Sequence, residues 1–159
     1  MKLDNGLDYN EFLKSATSEE LNMIKSQERV SNLCNNKLDY IKNLNSKSEI
    51  IVFSETRCKD AATVIPILLK LKKFNKNINV RFFNMEKYKN MLEEKFGESR
   101  IPTILKIDDK GNILGEYIEF PKCIKERLKN EKREDVVSEF RQGKYSKQIQ
   151  DELIDIILK

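Results

Sequence analysis

Glu55-Thr56-Arg57-Cys58-Lys59-Asp60-Ala61-Ala62 lies between the apolar run Ile50-Ile51-Val52-Phe53 and a longer apolar segment from Ala61 to Phe74. The first run is short and nearly all apolar, which predicts a central strand over Glu49 to Ser54. In the second, Ala61, Val64, Ile65, Leu68 and Leu71 recur at helical offsets, so a helix begins near Cys58 and packs on that strand. A thiol at the first turn of a helix meets unpaired N–H groups and the positive dipole end, both of which favour thiolate over thiol. Cys58 thus reads as an attacking thiolate, supported by Arg57 and Lys59 and opposed by Asp60 and Glu55. The other reading is a relic position in a fold kept for binding. Asp60 reads as a first-turn acid that favours the helix start, or as acid/base help for the thiol.

Composition narrows the chemistry further. The 159 residues include no histidine, so zinc sites built on imidazole, Ser-His or Cys-His catalysis and imidazole acid/base steps are excluded. Three scattered cysteines form neither a disulfide framework nor a metal cluster, so no metal and no cofactor is expected. The charge of +4 comes from 30 basic and 26 acidic residues, interspersed and without the basic-aromatic blocks that nucleic acid would require. No apolar run reaches the ~18 residues of a membrane span, and Met1-Lys2-Leu3-Asp4 opens no signal peptide. A cytoplasmic protein is expected, with no nucleic-acid or membrane partner; nothing in the sequence sets the oligomeric state.

Outward from the central stretch, residues 1–47 read as a helical extension. Thr17 and Glu20 match a capping box, and Val30, Leu33, Cys34, Leu38, Ile41 and Leu44 fall on one helical stripe. Cys34, on that stripe, reads as a small buried hydrophobe. Beyond the Cys58 helix come a strand over Asn77 to Asn84 and a helix through Tyr88, Met91, Leu92 and Phe96, closed by Gly97. A strand from Ser99 to Ile107, opened by Pro102, turns through Asp108 to Asn112 into a returning strand from Ile113 to Glu119. Residues 134–159 hold two amphipathic pieces, one with Val136, Val137 and Phe140 and one with Tyr145, Ile149, Leu153, Ile156 and Ile157, expected to pack on the core of a single domain spanning 1–159.

The order of strand, Cys-helix, strand, helix, Pro-strand, hairpin strand and helix resembles the thioredoxin superfamily over about residues 49–133. Pro66, eight residues after Cys58 in the same helix, stands where thioredoxins have a kinking proline, and Ile101-Pro102 looks like their cis-proline loop. The resemblance implies an α/β, thioredoxin-like fold: a central mixed sheet flanked by helices, with N- and C-terminal helical extensions. Cys58-Lys59-Asp60-Ala61 in particular looks like a bacterial thioredoxin-like branch with a Cys-x-Asp-Ala or Cys-x-Asp-Cys signature. Arg57 replaces the usual Trp, Ala61 the resolving cysteine, and Val52 the buried carboxylate that serves it.

Together these imply thiol-disulfide exchange by one cysteine, Cys58, with protein disulfides or low-molecular-weight thiols as partners. Ile101 and Pro102 would then form the substrate groove, on a cis bond; the alternative is a trans proline at a strand start. A redox-silent adaptor that holds a partner protein in the same groove is the rival function. Tracing the hairpin returns Phe120 to Cys123 to the active end of the sheet, so Cys123 is a candidate resolving thiol, against a simpler reading as a first-turn residue of a covering helix.

Overall fold

The computed structural model describes residues 3–159, so Met1 and Lys2, at the start of the expected extension, lie outside it. Four strands form one mixed sheet in the order β2-β1-β3-β4, from β1 (Ser48–Ser54), β2 (Ile78–Asn84), β3 (Thr103–Ile107) and β4 (Ile113–Ile118). β1 runs parallel to β2 and antiparallel to β3, and β3 pairs antiparallel with β4. Since the side-chain period of a strand is two, Ile50 and Val52 face one layer of helices while Ile51 and Phe53 face the other.

The first layer holds α4 (Lys59–Lys72), with α1 (Tyr9–Leu13), α7 (Arg133–Arg141) and α8 (Ser146–Ile157) packed into the same core. The second consists of α5 (Met85–Phe96), which brings Leu92 and Tyr88 against Phe53 and Phe83. α5 ends at Gly97, whose φ of 73° is the left-handed cap position. α4 continues through Pro66, and all nine residues from Asp60 to Leu68 are buried. Such a helix has no wet side near its start; α2 (Ser18–Val30) covers what the sheet does not. The fold class and mixed sheet expected from the sequence are those observed.

The stripe from Val30 to Leu44 does not lie on one helix. α2 stops at Val30, and α3 (Leu38–Lys42) starts afresh after Lys37 in the left-handed region at φ 59°. The backbone groups released there are taken up from far along the chain. Gln150 accepts from the Cys34 N–H at 2.9 Å and donates to the Cys34 and Asn36 carbonyls, and the Lys70 ammonium donates to the Ser31 carbonyl. A fully buried amide satisfied on three sides outweighs the helix propensity of a short polar run. Cys34 is accordingly a half-buried loop residue rather than part of the core. The Pro-strand is also shorter than expected, beginning at Thr103, because residues 99–102 form a loop.

At the sheet end remote from Cys58, Lys106 is only 6% exposed. Its ammonium donates to Ser48 Oγ at 2.7 Å and to the Ile157 carbonyl at 3.0 Å, which closes the C-terminus of α8. Burial lowers the Lys106 pKa, with Glu49 acting weakly the other way. Ser48 Oγ also donates to Ile157 at 2.9 Å, so Lys106→Met leaves no orphaned group. Its stability at neutral pH is expected within about 1.5 kcal/mol of wild type, or above it. Between the lowered pKa and about 10.4 the unfolded lysine holds a proton that the folded one has lost, so wild type should gain on the variant as pH rises. Urea unfolding at two alkaline pH values checks this; a gap that widens against wild type refutes it.

Candidate active site at the start of α4

Cys58 is the N-cap of α4, with extended backbone at φ −82° and ψ 113°. Its sulfur accepts from the Ala61 N–H at 3.4 Å and donates to the Ile101 carbonyl at 3.8 Å. The first contact comes from the helix start, where amides lack helical partners. The second comes from the loop before β3, where the Ile101–Pro102 peptide bond is cis. The structure therefore brings Cys58, Ala61, Ile101 and Pro102 together, though they lie on segments about forty residues apart.

The loop before Cys58 is pinned on two sides. Thr56 donates to Glu20, the residue that closes the α2 capping box, and Glu55 accepts from the Glu86 N–H at the start of α5. Arg57 is 66% exposed and lies 4.0 Å from Glu86, so its charge is directed at α5. Lys59 lines a groove of about 930 Å³ between α2 and α7, together with Gln27, Val137 and Arg141. The cation that reaches the first turn of α4 comes instead from α7: Arg141 Nε donates to Asp60 Oδ1 at 2.7 Å.

Asp60 is 8% exposed and engaged by Arg141. A second acid, Glu119, follows β4 with φ 61°. Its N–H donates to the Pro102 carbonyl at 2.8 Å, and its carboxylate pairs with Arg100 and Arg133. That bond puts the end of β4 beside the proline loop, as the hairpin trace anticipates. Burial raises the Cys58 pKa above the ordinary cysteine value; the Ala61 N–H works against this, and the negative charges of Asp60 and Glu119 add to it. The half-buried sulfur thus rests as a thiol.

Cys123 sits in the first turn of α6 (Lys122–Arg127) as a free thiol. Burial raises its pKa, with Glu152 of α8 adding to the effect and Arg127 reducing it. Val52 is fully buried between Phe82 and Ile104 on the neighbouring strands, so this position of β1 offers no acid beneath the thiol.

Residues 6–134 of the chain match the thioredoxin family. The chain belongs to it. No curated protein matches the sequence. A crystal structure of a Pseudomonas aeruginosa protein of unknown function aligns with a TM-score of 0.80 at 18% identity, covering 97% of this chain and 93% of that one. An HIV epitope-scaffold crystal structure aligns with the same score, identity and coverage. At that identity both speak to the fold alone.

Within this family, the chain has a cysteine at the helix start and a cis-proline loop opposite it, and it carries Ala61 three residues after the cysteine. Sequence reasoning missed Arg141, which meets Asp60 across 81 positions, and Glu119, whose pairing with Arg100 and Arg133 no local pattern signals. Asp60 carried one usable signal: an acid inside an otherwise apolar helical segment needs a partner once buried. No helix among the described residues is long and apolar enough to cross a membrane.

Proposed function

We propose that the protein carries out thiol-disulfide exchange with Cys58 as its single nucleophile, in the manner of the thioredoxin-like branch marked by Cys-x-Asp-Ala. The observation that carries this reading is the placement of the sulfur between the Ala61 amide and the Ile101 carbonyl. The Ala61 N–H can hold the thiolate, and the carbonyl lies where an extended partner would meet the proline loop. The Cys58 thiolate attacks one sulfur of a disulfide, a Cys58–S bond forms, and the other sulfur leaves as a thiolate. A second, external thiol then attacks the mixed disulfide and regenerates Cys58. No net oxidant is consumed in either step.

With Ala61 in the second position, nothing adjacent can release the adduct. Treating the full chain with an aromatic disulfide such as dithiobis-nitrobenzoate should release about one equivalent of coloured thiolate from Cys58 and leave a mixed disulfide that persists until a small thiol is added. Mass mapping of the Cys58 peptide checks this. An unmodified Cys58 peptide, or rapid spontaneous loss of the adduct, contradicts the reading.

The raised Cys58 pKa favours a second reading, a redox-silent adaptor that binds a partner through the Ile101-Pro102 loop. In that case Cys58 stays unmodified in the same assay.

A further inference from the structure

Asp60 stands two positions beyond Cys58, in the first turn of the same helix, and burial removes the water that would screen its charge. A carboxylate there opposes ionisation of the thiol. Arg57, the nearest arginine in sequence, is turned toward Glu86. The countercharge is Arg141, 81 positions further on, at 2.7 Å.

The backbone that carries Arg141 is itself held in place by neutral groups. Gln27 donates to the Arg141 carbonyl and to Thr63 Oγ1, both at 2.8 Å, and Thr63 donates to the Lys59 carbonyl at 2.9 Å. α2, α4 and α7 thereby fix one another around the Asp60-Arg141 pair. The charged groups facing Cys58 are Asp60 from α4, Glu119 from the end of β4, itself paired with Arg100 and Arg133, and Arg141 from α7.

We propose that Arg141 is a positioning residue for Cys58: by holding and neutralising Asp60, it lets the half-buried sulfur ionise. The reactivity of the thiol is then set by α7, outside the strand-helix unit that carries it. This assignment rests on the reading of Cys58 as a nucleophile, but ionisation of the thiol is measurable without any disulfide.

Iodoacetamide alkylation of the Cys58 peptide is followed by mass spectrometry from about pH 6 to about pH 10 in the full chain, for wild type, R141Q, R141K, D60N and the R141Q/D60N double variant. R141Q should raise the midpoint by about half a unit or more, roughly threefold less thiolate at neutral pH. D60N should lower it, the double variant should return toward wild type, and R141K, which keeps the charge, should recover at least half of the shift. An R141Q profile superimposed on wild type, or a double variant shifted as far as R141Q, overturns the assignment. Should R141Q loosen the fold, D60N still decides, because it retains Arg141: a midpoint unchanged or raised in D60N overturns the proposal. If the profiles shift as stated while wild type never exchanges with dithiobis-nitrobenzoate, the disulfide-exchange reading fails and the Arg141 assignment stands.

Discussion

Cys58→Ser is expected to abolish the capture of disulfide partners, from a set of trapped species on non-reducing gels of mildly oxidised cell extract to none. The sulfur is the group that the Ala61 amide and the Ile101 carbonyl both contact, and a hydroxyl cannot form the mixed disulfide. Cys34→Ser should leave the pattern intact, because Cys34 lies in the loop between α2 and α3 with its backbone tied to Gln150. Cys123→Ser should leave the lifetime of the adducts unchanged, since the charged neighbours of that thiol are Glu152 and Arg127. A longer lifetime in Cys123→Ser would instead give Cys123 the resolving role that the hairpin trace allows. Equal loss from Cys34→Ser and Cys58→Ser would refute the assignment of the nucleophile.

Gly143→Ala should destabilise the protein by roughly 2–5 kcal/mol, the sum of left-handed backbone strain and forced overpacking. Gly143 follows α7 with φ 81°, and a Cβ built there meets the Val30 carbonyl oxygen at 2.2 Å. The obstacle is backbone, so no side-chain rotation relieves it. Gly97→Ala is the comparison: φ is 73°, but nothing lies within 4 Å, so only the conformational cost of about 1–2 kcal/mol applies. Urea midpoints measure both. Equal losses, or a Gly143 variant within about 1 kcal/mol of wild type, contradict the close approach of α2 and α7. Gly143 lies two residues beyond Arg141, so its variant should also disturb the Asp60 pair.

What the sequence made legible follows from the range of the interactions involved. β1, α4 and the β3-β4 hairpin each announce themselves within a dozen residues, through an apolar run, a helical period or a turn rich in Asp, Gly and Asn. Pro66 and Pro102 add the spacing that points to the thioredoxin fold. The break after Val30 was not legible, because the helical period runs on through Leu44 while the reason for the break is Gln150, more than a hundred residues away. Cys58 was found because its meaning depends on its own helix start. Arg141 and Glu119 were not, because a charged residue near the end of an amphipathic helix or strand looks solvated until tertiary structure buries its partner.

The burial of α4 on all sides near its start limits how this protein can diverge. In a helix with a wet face, half the positions near a reactive residue are free to vary and retune it. From Asp60 to Leu68 every position already meets a neighbour, so a change there must be matched in the sheet, α2, α7 or α8. Variation that alters the chemistry of Cys58 while leaving the core alone is therefore channelled to the loop of residues 55–57, to Lys59 and to arginines supplied from elsewhere, such as Arg141 and Arg133. Related sequences should differ in electrostatics at the rim of the thiol long before they differ in the helix that carries it.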